Sequence, residues 1–466
     1  MNDQLAPRLN LDIFQLTYDL IRRRRDVSAL MRTCKALYRA GIPPLLRFSV
    51  TVHMDTTSAK KVESFTSFML SENWSSLRFL SLRSLGLKVS DPPKQYEVQA
   101  QELAIIFKHA IHLQVLGLCW ADELLVAYPN VFHSIASLPG LQELVIQEGG
   151  SLTMNIVSAI HSPIKAIKLV LHPGSQPNFP DPLVHFGHLG STLVSLSLHR
   201  VDLRDRQVRL PSIRYLTIET SQNIQSAVLI RAFPNLSILI TDTTTPLFPR
   251  DISTASSMHQ TNSTELSTLG HQWNNPLHKL GGQVLRLFSL GLATRVHYLR
   301  VHCVNDFNCG IFCKLLDTHR PKIVSVDIRP FSGFFAHNDT GNFFESIFLS
   351  ILPSCTHLKL NLVVSRKSIV DLYSALRLSL GDLPAPYLCI TITMDDAISM
   401  DLELIQGLGA WFRRGTPRRF EPYILAVARN APHLKRIGHV VEKSDGARVR
   451  TFWDIVRERT ENGEMR

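Results

Sequence analysis

Short apolar triplets recur along most of the chain in one spacing. LRFLSL begins at Leu77, LQVLGL at Leu113, LQELVI at Leu141, IKAIKL at Ile164, LVSLSL at Leu193, IRYLTI at Ile213 and LSILIT at Leu236. VHYLRV at Val296, IVSVDI at Ile323, CTHLKL at Cys355 and YLCITI at Tyr387 continue the series. All but LSILIT are apolar at positions 1, 4 and 6. Positions 4 and 6 lie on one face of a strand, so Leu80 with Leu82, and Leu196 with Leu198, are expected in a core. Positions 3 and 5 point the other way, Ser81, Lys168, Tyr215 and Arg300 among them. Helix-period stretches at 101–111, 155–160, 225–233, 343–352 and 368–378 separate the phrases. The unit is strand, turn, helix, turn, and stacking such units buries faces that no unit buries alone.

Ahead of this ladder, Leu9, Ile13, Leu16 and Leu20 form one stripe of a helix, with Asn10 as a cap and Asp12 in the first turn. Arg22 to Arg25 interrupt it. A second helix is expected behind Asp26, with Val27, Leu30, Met31, Cys34, Leu37 and Tyr38 on one face, Gly41 closing it and Pro43 and Pro44 preventing its resumption. Two such helices cannot bury both stripes against each other. They need the following domain or another protein.

The longest gap between phrases runs from Leu236 to Val296 and holds a Ser/Thr/Asn-rich stretch, Thr241 to Gln272, without an apolar period. It is expected to be a flexible insertion (241–290), serving as linker, modification site or contact loop. APHLKRIGHV at 431–440 suits a last strand, and FWDIVRERTENG at 452–463 a terminal helix with a polar tail. The expected organisation is a helical module at 1–50, a repeat array at 51–445 and a helix with tail at 446–466.

Composition narrows the function classes. Across 466 residues, 45% are hydrophobic and 19% charged, which excludes wholesale disorder. No secretory signal or membrane-length apolar run is evident, so a cytoplasmic or nuclear protein without membrane contact is expected. Seven scattered cysteines point to free thiols rather than a disulfide framework. Cys303, Cys309 and Cys313 beside His302 lack the close pairing of structural zinc sites, and His185 with His188 is a weak metal signal; no metal or cofactor is expected. Asp395 and Asp396 follow a strand and suit a turn as well as a cation. The net charge of +11 comes without a nucleic-acid-binding module, so basic solvated faces or an acidic protein partner explain it better. No phosphate loop, nucleophile elbow, zinc-protease helix or dinucleotide fingerprint occurs, and no enzyme is expected.

Two resemblances organise these readings. The phrases resemble the L-x-x-L-x-L core of leucine-rich repeats, though the Asn or Cys that family places three residues later is replaced by Leu85, Ala121, Gly149, His172, Val201 or Ser221. The N-terminal stretch resembles an F-box, the helical module that docks on Skp-type adaptors. Leu9, Asp12, Ile13, Asp26, Val27, Leu30, Cys34, Lys35 and Leu37 stand at its places, while Asn10 replaces a Pro, and Thr17 and Thr33 replace aliphatic residues. This match covers under a tenth of the chain.

The resemblances imply an α/β chain, with an F-box-like module followed by an irregular leucine-rich-repeat-like solenoid whose parallel sheet lines the concave face. The architecture resembles the expanded F-box families of fungi. It implies a substrate-recognition subunit of a Skp–cullin–F-box ubiquitin ligase, with the adaptor and cullin core as partners and an unidentified target protein held by the array. Leu9, Asp12, Ile13, Leu16, Leu20, Val27 and Leu30 would bind the adaptor. Lys168, Tyr215, Tyr298, Arg300 and Lys359 are the candidate target-binding residues. The competing reading is a repeat scaffold with no ligase role, its helices capping the array. Exposure of the N-terminal stripe distinguishes the two.

Overall fold

The computed structural model describes residues 11–454 except 56, 72–74, 91–95, 173–180, 202, 205–206, 220–223, 243–250, 270–272, 274, 306, 329–339, 352–353, 365–386, 395–434 and 443–447. The chain forms two compact units, Met1–Leu216 with Arg231–Pro234, and Thr217–Ile230 with Asn235–Arg466. In a repeat array each unit contacts only its neighbours, so a division can fall inside the ladder rather than at its ends.

The first unit opens with three helices, α1 (Leu11–Leu20), α2 (Arg24–Met31) and α3 (Lys35–Arg47). Six strands follow: β1 (Val50–Met54), β2 (Ser84–Val89), β3 (Val115–Cys119), β4 (Glu143–Gly149), β5 (Ala166–Leu171) and β6 (Ser195–His199). They pair in chain order, every pairing parallel. The helices among them are α4 (Ala59–Leu70), α5 (Ser75–Ser81), α6 (Glu97–His109), α7 (Asp122–Ala127), α8 (Pro129–Ala136), α9 (Ser151–Ala159) and α10 (Leu183–Phe186). Strand β7 (Tyr215–Glu219) spans the division between the units.

The phrase positions explain this packing. Leu113, Leu141, Ile164 and Leu193 at position 1 are buried, as are the position-4 and position-6 residues of the same phrases. Register aligns Leu144, Ile167 and Leu196 in one layer and Ile146, Leu169 and Leu198 in the next. Position 2 donates its N–H to the position-2 carbonyl before it, from Gln142 to Gln114, Lys165 to Gln142 and Val194 to Lys165, each at 2.8 Å. Asp122 ties neighbouring repeats further. Its carboxylate accepts the N–H groups of Gly150, Leu152 and Thr153 and the Thr153 hydroxyl, so one repeat caps the positive end of the next repeat's α9.

The second unit repeats the plan. Its strands are β8 (Ile238–Asp242), β9 (Leu277–Gln283), β10 (Val296–Val304), β11 (Ile323–Ile328), β12 (His357–Val364), β13 (Tyr387–Met394), β14 (Arg436–Glu442) and β15 (Arg448–Asp454). They also pair in chain order, parallel as far as β14. Helices α11 (Ser226–Ala232), α12 (Asp251–Leu269), α13 (Val284–Ser289), α14 (Cys309–His319) and α15 (Thr340–Ser350) alternate with them. Both units are α/β, with parallel strands and interleaved helices.

Several expectations are corrected. Leu77 and Leu80 lie in α5, and Leu80 is 45% exposed. The phrase there is LRSLGL from Leu82, because Gln114 donates to Arg83 at position 2. A 1–4 spacing also fits one helical turn, and that ambiguity misplaced the strand and put Ser81 on its outer face. The phrases at Ile323 and Tyr387 start two residues late, since Val324 and Leu388 pair with the position-4 residues of their neighbours. Gly41 does not end a helix: α3 runs through it and through Pro43 and Pro44. A Cβ at Gly41 would lie 2.2 Å from Met31 Cγ, so close helix packing explains this glycine. Helix α2 starts two residues before Asp26, which sits in its first turn rather than at its cap.

The expected insertion is structured where described. It holds α12 and β9, with Gly282 at the third apolar place of its phrase; a Cβ there would lie 1.9 Å from the Thr241 carbonyl. Helix α12 is held by polar contacts, which is why no apolar period marks it. Buried Asn262 accepts the Ser226 N–H and donates to the Ile224 and Ser289 carbonyls, and the His259 ring stacks on Phe288 at 4.2 Å. At the C-terminal end, β15 runs antiparallel to β14, so residues 452–454 are strand where a helix is expected; 455–466 lie outside the described residues. The helix expected at 368–378 does too.

One buried histidine gives the second unit a pH response. His319 is 1% exposed, and its Nδ1–H donates to the Thr294 carbonyl at 2.7 Å. Burial holds its pKa below the usual 6.5, outweighing that hydrogen bond. The unfolded chain therefore binds a proton that the folded chain refuses. This stabilising contribution is complete above 6.5 and is lost as pH falls toward the lowered folded value. Urea midpoints at pH 7.5 and 5 should differ more in the wild type than in His319→Gln; an equal difference contradicts this.

Candidate functional site

Helix α1 presents two unlike faces. Tyr18 is buried, and its hydroxyl donates to the Leu37 carbonyl at 2.8 Å. Burial pushes the hydroxyl's pKa up, with Cys34 adding to the effect. On the other face Ile13 is 55%, Leu16 66% and Leu20 81% exposed. Leu9 lies outside the described residues, and Asp12 is placed only as a position in α1. The remaining expected docking residues divide. Val27 is fully buried in the core of the helical module, because the apolar side of α2 turns inward, and Leu30 is half-buried. The module rests on the first repeats through α3 and α5. Arg78 of α5 donates to the Tyr38 hydroxyl and the Ser71 carbonyl, with its guanidinium over the Phe68 ring.

The second candidate surface is the outward face of the strands. In the first unit Lys168 is exposed between Val145 and Ser197, and Tyr215 is half exposed. In the second unit Arg300, Ser325 and Lys359 stand in one row across β10, β11 and β12, both cations exposed and the serine buried between them. Tyr298 lies two residues below Arg300, with Lys279 over its ring at 5.2 Å. The His357 and Tyr387 rings stack beside this row at 4.6 Å.

Asp327 stands beside that row in the second unit, and exposed Glu143 lies on the outward face of the first. Burial disfavours the charge of Asp327, but hydrogen bonds from His302 and Asn361 and the charges of His302 and Arg300 outweigh this and lower its pKa. Its carboxylate is thus already engaged, with Arg300 only at 3.8 Å. Burial, and then the charge of Arg300, lower the pKa of Lys279. With Glu143 and Asp327 on it the face has a slight basic excess, carried by Lys168, Lys279, Arg300 and Lys359, and this suits acidic protein segments.

Among the described residues the other sequence candidates do not gather into a metal site. None of the seven cysteines forms a disulfide. His185 and His188 turn to separate partners, the Ser158 hydroxyl and the Ile160 carbonyl. No group of three metal-ligating side chains occurs among the described residues, and no helix there is long and apolar enough to cross a membrane. Asp395 and Asp396 lie outside the described residues.

No protein-family model matches this chain, and no curated protein does. The functional reading therefore rests on the fold and the two surfaces.

Sequence reasoning missed one recurring feature. Trp120, Glu148, Arg200 and Cys303 all have left-handed backbones, with φ of 56°, 52°, 58° and 57°. Each is position 8 of its phrase: Trp120 and Arg200 directly follow β3 and β6, and Glu148 and Cys303 stand at register shifts one residue before the ends of β4 and β10. In the first unit this lip carries a linked cluster. Arg200 donates to both carboxylate oxygens of Glu148, which also pairs with His172, and His172 lies against exposed Trp120. Recurrence at one repeat position marks the left-handed turn as a device of the fold.

Proposed function

We propose that the chain is the substrate-recognition subunit of a Skp–cullin–F-box type ubiquitin ligase, acting in the cytoplasm or nucleus. Helix α1 docks the adaptor and the strand face holds the target. The observation that carries this reading is the outward stripe of Ile13, Leu16 and Leu20 on a helix whose other face is fixed by Tyr18. A helix serving only as a cap would turn its largest apolar side chains inward, because each one buried is worth about 1.5–3 kcal/mol. The reading assigns ubiquitin transfer to other subunits, so this chain supplies surfaces rather than a nucleophile. Affinity isolation from native extract should recover a Skp-type adaptor and a cullin; recovery of neither refutes the ligase role.

The scaffold reading draws on the contact of α3 with α5, where Arg78 fastens the module to the array. It accounts for α3 but leaves α1 without a purpose.

For the target, Arg300 and Lys359 are the assigned contacts in the second unit. Arg300→Glu with Lys359→Glu should weaken binding of the co-isolated target by about tenfold or more, and wild-type affinity should fall as salt rises. Binding unchanged by both reversals and flat with salt moves the target site off this face.

A further inference from the structure

The exposed stripe of α1 runs directly into a cluster of cations. Leu20 ends the helix, and Arg22, Arg23, Arg24 and Arg25 follow after one residue, all exposed. Arg25 reaches Asp26 at 3.5 Å, with both side chains more than half in solvent. Arg22, Arg23 and Arg24 have no ion pair among the described residues. Counted over 11–47, eight basic residues (Arg22, Arg23, Arg24, Arg25, Arg32, Lys35, Arg39, Arg47) face three acidic ones (Asp12, Asp19, Asp26).

The position is unfavourable in the isolated chain for Arg24 and Arg25, a cost that Asp26 in the same turn offsets in part. Arg23 is the N-cap of α2 and Arg24 and Arg25 begin its first turn, with no side-chain cap bond. That end of a helix carries the positive pole of the macrodipole, which favours anions and disfavours cations. The arginines also repel one another. Both costs fall if an anionic surface settles against them.

We propose that the protein seated on α1 is acidic where it meets this module: its apolar side chains cover Ile13, Leu16 and Leu20, and its carboxylates pair with Arg22 to Arg25. This rests on the reading of α1 as the adaptor-docking helix and specifies the chemistry of that partner. A protein fits better than a membrane, because Tyr18 holds α1 against α3 and, among the described residues, the helix offers three exposed large aliphatic side chains. A stable lipid anchor needs a broader apolar face. A nucleic acid would leave the aliphatic stripe uncovered.

The test is titration of purified full-length chain with a purified Skp-type adaptor, at about 50 mM and about 300 mM salt, where charge screening differs strongly. The wild type is compared with R22Q/R23Q/R24Q/R25Q and with I13D/L16D. The wild type should lose about tenfold in affinity at the higher salt. The arginine variant should bind about tenfold more weakly at low salt, change little with salt, and melt no lower than the wild type. An arginine variant that binds like the wild type, with salt-independent affinity, overturns this proposal while leaving adaptor docking intact. Loss of binding in I13D/L16D beside an unaffected arginine variant overturns it in the same way. A wild type that binds no adaptor at either salt overturns the docking reading and this proposal together. Sedimentation with phosphatidylserine vesicles that needs the arginines, without adaptor binding, reassigns the surface to a membrane and overturns it as well.

Discussion

Replacing Ile13 and Leu16 with Asp should abolish adaptor recovery while leaving the fold of the array intact. Both side chains are more than half exposed, so the folded chain loses no core contact. Substitutions at such surface positions usually move stability by about 0.5 kcal/mol or less. Binding responds differently. A carboxylate placed in a desolvated apolar contact needs its own partner, and without one the cost reaches several kcal/mol, which is orders of magnitude in affinity. Circular dichroism and the melting temperature should match the wild type. Equal adaptor recovery from the double variant would contradict the docking assignment, and a large drop in melting temperature would show the stripe to be internal packing.

The other large effect is expected in the core. Leu196 is 1% exposed and sits in one layer with Leu144 and Ile167. Leu196→Ala removes apolar packing from this layer and leaves a cavity, at a cost of about 2–5 kcal/mol. Ser195→Ala, at a position on the opposite face of the same strand, should stay within about 0.5 kcal/mol. Chemical denaturation of the two variants measures both. A loss below about 0.5 kcal/mol at Leu196 would mean that this strand has the opposite register.

The contrast between these residues shows what the sequence makes legible. Leu196 and Leu198 are readable because a period of two is local and each strand repeats it. The same rule fails at β9, where Gly281 and Gly282 stand where side chains would mark the period, and close approach to Thr241 requires the gap. It also fails at α12, which Asn262 anchors through three hydrogen bonds without an apolar stripe. The left-handed residues at position 8 are a Trp, a Glu, an Arg and a Cys, so no shared chemistry reveals them. At α1 the period identifies the stripe but not the direction it faces. That direction is set by the Tyr18 hydroxyl and the Leu37 carbonyl, nineteen residues apart. The strand face is partly legible: alternation finds Arg300 and Lys359, whereas their alignment across Ser325 comes from pairing of three strands.

The most direct test of the central claim is hydrogen exchange of the full-length chain with and without a purified Skp-type adaptor. Docking through the outward stripe predicts slowed amide exchange in α1 and in the segment that joins it to α2, with the strands of both units unchanged. Unchanged exchange in α1 at saturating adaptor, or protection confined to the strands, would contradict it.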